Sequence, residues 1–407
     1  MNQKRNRVRL ERILILAAAV CLILFLAGMA VRALFFSGSG QETASQTNPG
    51  PTAPEEKQSV SVTATGDILL EEALLNTFGS GSWQTYLDEL DPLLESDDLT
   101  IANMEVPIGG EELGITGIDY SFNSPAATAQ NLKDHSIEFV SLANNHAADR
   151  GQQGIANTHS NLDQAGIQYT GTFLSEEERN QTKILTVKGM TIAVVGWTYD
   201  TNQPYDQEWQ VNSFYSADSP QVQVLLEDVR QARQQADAVI VCMHWGTEFT
   251  FDLNEAQTSL GEQIAQAGAD VIIGNHPHTI QPAQWIGTEG RKTLCFWSLG
   301  NFLSSAYQVD RADETFQNMY EVGALASFDL VPEDTGVCVQ NVRIIPIVNH
   351  FEGEYENFRL MKLKDYTEEL AAAHSQRRFS SLFTKEWLDN QVHQVFDPSG
   401  LELELDQ

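Results

Sequence analysis

Asp270-Val271-Ile272-Ile273-Gly274-Asn275-His276-Pro277-His278 is the stretch on which the reading of this chain turns. Val271-Ile272-Ile273 suits a buried strand. The run stops at Gly274, and the turn that follows presents two imidazoles around a proline. Histidine is the commonest metal ligand, and two imidazoles so spaced on a turn can converge on one point. Four further polar clusters follow apolar runs: Gly66-Asp67, Asn103-Met104-Glu105, Asn144-Asn145-His146 and His244-Trp245-Gly246-Thr247-Glu248. Strand-end clusters carrying Asp, Glu, Asn and His are poorly explained as packing. Together they predict one metal site.

Outward from that stretch, strands alternate with helices. Residues 59–65, 99–102, 137–143, 236–243 and 270–273 read as strands, each running into one of the five clusters. Residues 183–187 and 191–196 form a hairpin about Lys188-Gly189-Met190. Helical spacing of apolar residues marks 82–95, 125–136, 154–165, 221–235 and 254–267, with Pro92 breaking the first near its end. Further strands are expected at 293–297, 321–330 and 336–345, and 367 to the end reads as helical, acidic and peripheral. The alternation predicts an α/β fold with helices covering a sheet, and in such sheets function gathers just past the strand ends.

Each candidate residue has a plainer role open to it. Asp67 is a metal carboxylate or a turn residue, and Glu105 a ligand or part of a surface loop before Pro107. In Asn144-Asn145-His146 the amide oxygens suit coordination and the imidazole suits proton donation, or the three form a hydrogen-bonded turn. Asp149 orients His146 or opens the next helix. His244 is a ligand or a core histidine, with Glu248 as a carboxylate to hold its tautomer. His276 and His278 carry the strongest individual signal. Gly300 and Asn301, in Ser298-Leu299-Gly300-Asn301-Phe302, form a pocket floor or a plain turn. Mixed oxygen and nitrogen donors suit Mn, Fe or Zn, as one or two ions, better than Ca or Mg. The lack of cysteine ligands argues against a structural zinc.

The N-terminus carries Lys4, Arg5, Arg7, Arg9 and Arg12, then an uncharged run at 13–31. A helix of that length spans about 28 Å, close to a bilayer's hydrocarbon core. Basic residues ahead of it place the N-terminus in the cytoplasm and the main domain outside the cell membrane, as a single-pass protein; the rival reading is a cleaved signal peptide, against which stand the length of the run and the lack of a clean Ala-x-Ala site after it. The expected organisation is a basic tail and transmembrane signal anchor at 1–36, a flexible linker at 37–58, a main domain at 59–350 and a C-terminal helical extension at 351–407. The chain has 24 Lys and Arg against 56 Asp and Glu, a net charge of −32. Such a surface argues against nucleic-acid binding. The four cysteines show no paired spacing, so stability must come from a large core.

The order of Gly66-Asp67-Ile68-Leu69, Asn103-Met104-Glu105-Val106-Pro107, Ser141-Leu142-Ala143-Asn144-Asn145-His146, His244-Trp245-Gly246-Thr247-Glu248, Gly274-Asn275-His276-Pro277-His278 and Ser298-Leu299-Gly300-Asn301-Phe302 resembles the bacterial capsule synthesis CapA family. That family is associated with poly-γ-glutamate and related to calcineurin-like metallophosphoesterases. The resemblance implies a four-layer α/β/β/α sandwich. It implies Asp67, Glu105, Asn145, His244, His276 and His278 as ligands of a divalent metal, and His146 as proton donor. It also implies an anionic envelope polymer, poly-γ-glutamate above all, and capsule-synthesis membrane proteins as partners. Two positions depart from the metallophosphoesterase pattern: Leu69 stands where a His is usual, and Glu105 where an Asp is. A metal-dependent enzyme, a non-catalytic polymer-binding or export component, and a broad-specificity phosphoesterase all fit this reading.

Overall fold

Alternating β-branched and small residues build Val60–Ile68 (β1), a strand almost wholly buried. In the computed structural model, which describes residues 57–405 apart from 79–82, 84, 119, 289 and 305–312, three parallel strands follow it. These are Leu99–Met104 (β2), Phe139–Ser141 (β3) and Gln168–Thr170 (β4). Ala127–Asp134 (α1) and Gly151–Ala165 (α2) are the intervening helices. Ile184–Val187 (β5) and Met190–Thr198 (β6) form the expected hairpin, with Lys188 and Gly189 both at positive φ. Pro220–Gln235 (α3), Ala238–His244 (β7), Glu255–Ala267 (α4) and Val271–Asn275 (β8) continue the alternation. A hairpin of Ala283–Thr288 (β9) and Arg291–Phe296 (β10) leads into the short Asn301–Leu303 (β11). Val322–Pro332 (β12), Val337–Glu352 (β13), Glu356–Lys362 (β14) and Glu402–Leu403 (β15) complete the strands.

The strands make two mixed sheets. The nine-stranded sheet has the order β14-β13-β12-β1-β2-β3-β4, with β11 beside β1 and β15 beside β13. The six-stranded sheet has the order β5-β6-β7-β8-β10-β9. Inward side chains of both sheets, among them Val62, Ile101, Phe328, Ile192, Ile240 and Phe296, share one central core. A second core joins the outer face of the larger sheet to Leu132 of α1 and Leu162 of α2. A third joins the outer face of the smaller sheet to Leu225 and Val229 of α3 and Leu260 and Ile264 of α4. The layers therefore run helix, sheet, sheet, helix, and the parallel strands of each sheet end on the side where the polar clusters lie.

Two expectations need correction. The helix expected at 82–95 is not found among the described residues of that range. Three-residue turns (Tyr86 N to Trp83 O, Leu90 N to Leu87 O) precede a short helix, Asp91–Leu94. Pro92 sits in its first turn, where a missing N–H costs nothing, so it starts the helix and does not end it. The C-terminal part is no helical extension beginning at 351 either. That boundary falls inside β13, and β14 pairs with β13 along its length. Helical residues Leu388, Val392 and Phe396 are buried in the central core, so this part is integral to the fold.

The predicted anchor and nearly all of the linker lie outside the described residues. Among the described residues no helix is long and apolar enough to cross a membrane.

Candidate metal centre

Five strand ends from both sheets deliver the cluster. Asp67 lies in β1, where the pairing register with β2 shifts, and it is fully buried. Gly66 is needed before it because a Cβ there would sit 2.0 Å from the Gly300 carbonyl oxygen. The need is the close approach of Gly300, the residue just ahead of β11. Glu105 follows β2, Asn145 and His146 follow β3, His244 ends β7, and His276 and His278 follow β8. Gly274 plays the same part in β8, its absent Cβ leaving room for the Trp297 carbonyl. His276 and His278 then take φ of 102° and 55°, a strained backbone for residues bearing side chains.

Around His244 Nε2 stand Asn145 Oδ1 at 2.9 Å, His276 Nδ1 at 3.1 Å and Glu105 Oε1 at 3.4 Å. One N–H serves only one of those acceptors. Three lone-pair atoms facing a fourth donor atom is the arrangement a cation would resolve. On the other side of Glu105, His278 Nε2 lies 3.7 Å from Oε1, and His278 Nδ1 lies 3.4 Å from Asp67 Oδ2 and 3.0 Å from Asn301 Oδ1. Two three-residue groups therefore have ligand atoms within 4.8 Å of one another: Glu105, His244 and His276, and Asp67, Glu105 and His278. Glu105 belongs to both. It is fully buried, and neither of its oxygens has a hydrogen-bond partner. A buried carboxylate so left is costly unless a cation meets it, so the residues present fit a divalent metal.

The electrostatics follow from burial and crowding. Burial drives the Glu105 carboxyl well above the usual range, and the Asp67 charge adds to the rise. Burial would raise Asp67 too, but its bond to His278 and the charges of His278 and His244 hold it below. Burial lowers His244 to about 3 against the pull of Asp67, and lowers His276 well below its ordinary value. His278 is the exception. Burial opposes its charge, yet the charge of Glu105, with the hydrogen bond and charge of Asp67, raises it to about 10.

His146 stands beside this set. Its Nδ1–H donates to Asp149 Oδ2 at 2.8 Å, and the same oxygen accepts from the Phe122 N–H. Both candidates are thus brought together as a dyad. Phe122 packs edge-on against the imidazole at 4.5 Å, and Nε2 faces the Asn202 amide at 3.5 Å.

Other expectations fare differently. No hydrogen bond joins Glu248 to His244. The imidazole is held by Asn103, whose Nδ2 lies 3.3 Å from His244 Nδ1 and donates to Asp67 Oδ1 at 2.7 Å. A charged residue on a turn is a weaker support here than an amide fixed in a buried strand. Asn301, read as pocket floor or plain turn, touches His278 directly. Tyr199 and Asn202 were not anticipated. Both come from the loop after β6, whose backbone is tied to His244 and Asn145: Tyr199 N–H donates to the His244 carbonyl and Asn202 N–H to the Asn145 carbonyl. Leu69 is packed in the outer core of the larger sheet, so the Asp67 group gains no imidazole from β1.

Residues 61–306 match the family described as bacterial capsule synthesis protein PGA_cap. The chain belongs to that family. Among curated relatives, the PGA biosynthesis protein CapA of Bacillus subtilis (strain 168) is 26% identical over 282 residues, covering 68% of this chain and 71% of the relative. The capsule biosynthesis protein CapA of Bacillus anthracis is 25% identical over 268 residues, covering 62% of each. The crystal structure of TT1561 of Thermus thermophilus overlaps 69% of this chain and 98% of its own at 9% identity, with a TM-score of 0.34, too loose to carry an inference. The family match spans β1 to the end of β11, which is the whole of the cluster from Asp67 to Asn301.

Proposed function

We propose that this member of the PGA_cap family is a metal-dependent enzyme of capsule synthesis that acts on poly-γ-glutamate or a related anionic envelope polymer. It is held at the outer face of the cell membrane by its N-terminal segment, a reading supported by the basic residues and apolar run at 1–36. The observation that carries the enzymatic reading is Glu105, a fully buried carboxylate with both oxygens unpartnered, shared by two groups of potential ligands. Asp67, Glu105, Asn145, His244, His276 and His278 would hold one or two ions, with Mn, Fe or Zn suited to the donor set. A bound divalent cation supplies Lewis acidity to a carbonyl or phosphoryl oxygen and to an attacking water.

The chain's own residues supply the rest. Asp149 accepts from His146 Nδ1–H, which fixes the orientation of the ring and leaves Nε2 facing the site. His146 Nε2 is then the atom that delivers a proton to the leaving nitrogen or oxygen. Phe122 covers the ring and limits water at the dyad. The order of the strand-end motifs, read against metallophosphoesterases, supports the same assignment.

The test is the metal content of the full-length chain purified without chelators, beside a His276→Ala, His278→Ala variant. Near-stoichiometric transition metal in the parent, lost in the variant, is expected. Turnover on γ-glutamyl amides, tested with that ion, should go with it. Absence of metal from both, after supplementation with Mn, Fe and Zn, would refute the reading. A second reading, a non-catalytic polymer-binding or export component, is favoured by one observation: Leu69 packs in the core, leaving the Asp67 group short of a ligand. Metal without turnover on any amide or phosphoester would select it.

A further inference from the structure

Beside the metal centre lies a pocket of about 140 Å³ that neither the candidate ligands nor the His146 dyad uses. Tyr199, Phe214, Tyr215, Trp245, Gln257 and Leu260 form most of its wall, and no charged side chain among the described residues lines it. Two of these residues join it to the centre. The Tyr199 ring lies 4.6 Å from the His276 ring. Trp245 directly follows His244, donates its backbone N–H to the Asn275 carbonyl, and donates its indole N–H to the Trp297 carbonyl at 3.0 Å. Tyr199 and Trp245 are therefore shared between the wall of the pocket and the surroundings of His276 and His244.

The opposite wall is fixed in advance. Asn254 and Gln257 cap α4 reciprocally, each side chain accepting the other's backbone N–H. Gln257 also donates to Gln281 Oε1 at 3.1 Å, so both ends of its amide are engaged inside the protein. Gly246, at φ 98°, packs so closely on that amide that a Cβ would come within 2.7 Å of it. A wall held in this way does not have to be ordered by a ligand.

An uncharged aromatic wall disfavours carboxylate and phosphate groups, which would lose hydration without a partner. An apolar cavity of about 150 Å³ accommodates benzene. We propose that this pocket is a subsite for an uncharged aromatic or branched aliphatic group of about six heavy atoms, borne on the molecule whose reacting group occupies the metal centre. The proposal rests on the metal-centre reading and narrows its substrate class. A chain of charged units alone leaves the pocket unfilled, whereas a chain end or linkage bearing an apolar group fills it.

The test uses hydroxamates as probes on the Mn- or Zn-loaded full-length chain, with binding followed by calorimetry and by tryptophan fluorescence. Acetohydroxamate is compared with hydroxamates bearing a phenyl ring on linkers of one to three methylenes. At least one phenyl probe should bind about tenfold tighter than acetohydroxamate, since burying a ring in a preformed pocket is worth that much or more. Ala256→Leu and Ala217→Leu, which fill the pocket from its rim, should each abolish that gain and leave acetohydroxamate binding unchanged. Acetohydroxamate binding with no phenyl gain, or a gain that persists in both variants, would overturn the subsite alone. Failure of every hydroxamate to bind would overturn the metal centre and the subsite with it.

Discussion

Replacing Glu105 with Gln separates a metal ligand from an ordinary buried residue, because the two roles predict opposite changes. Without metal, the wild-type carboxylate is fully buried and lacks a hydrogen bond at either oxygen. Its nearest imidazole nitrogens are His244 Nε2 at 3.4 Å, on a ring whose charge burial disfavours, and His278 Nε2 at 3.7 Å, on a ring already engaged by Asp67. The amide removes the ionisable group, leaves the Asp67–His278 pair intact and keeps the volume. An uncompensated buried charge costs several kcal/mol at most sites, and the raised proton affinity of this carboxyl offsets part of that cost, so relief of about 1–2 kcal/mol is expected. For a domain of this size, at about 2 °C per kcal/mol, the chelated variant should melt at the wild-type temperature or about 2–4 °C above it. With metal the order reverses. Ion at one hundred times its dissociation constant stabilises the wild type by about 2.7 kcal/mol, or about 5 °C. Because Glu105 belongs to both groups, the variant should lose that shift together with its bound metal. Thermal melts in chelator and in excess Mn or Zn, with metal analysis of the same samples, read all of these quantities. A variant that keeps the metal-induced shift, or melts several degrees lower in chelator, would refute the shared-ligand argument.

His146→Ala should lower turnover of a true substrate by about 10²–10⁴-fold with metal content unchanged, and Asp149→Asn should do so less severely; steady-state rates beside metal analysis check both. Leu69→His should not restore a ligand. Its side chain belongs to the outer core, so an imidazole there should cost about 2–3 kcal/mol and leave metal stoichiometry as it was, read by denaturant melts and metal analysis. Burial, with the neighbouring His350 adding to it and the Asn349 carbonyl opposing, holds His374 down to about 3. The unfolded chain protonates near 6.5, so stability from this residue is present above that pH and falls as pH drops from about 6.5 towards 3. Between pH 6.5 and 4.5 the parent's melting temperature should therefore decline more steeply than that of His374→Gln. Parallel slopes would contradict the assignment.

The gathering of Asp67, Glu105, Asn145, His244, His276 and His278 in one buried cluster is legible in sequence because these residues follow apolar runs, and a parallel sheet ends such runs on one side. The residues that hold them are harder to find. Asn103 lies in a strand-end cluster, but its bridging of Asp67 and His244 depends on how the two sheets stack. Asn202 and Tyr199 sit in a loop of no hydrophobic period, brought to the site by backbone hydrogen bonds that composition does not reveal. Residues 82–95 mislead because turns spaced by three and helical turns repeat apolar residues at nearly the same interval. In β14 the alternation of Phe358 and Leu360 with Arg359 is brief, so a strand completing the sheet passes for the approach to a helix.

The candidate ligands are drawn from two sheets that share no strand pairing. Asp67, Glu105 and Asn145 come from the larger sheet, and His244, His276 and His278 from the smaller. A cation held by both groups is a tie between halves that share no backbone ladder, so its binding energy is also energy of cohesion. Chelation would then be felt as a loosening at the carboxyl ends of β1, β2, β7 and β8 together, recorded as a joint rise in amide exchange. By that coupling, an ion held there would govern how firmly those strand ends stay together.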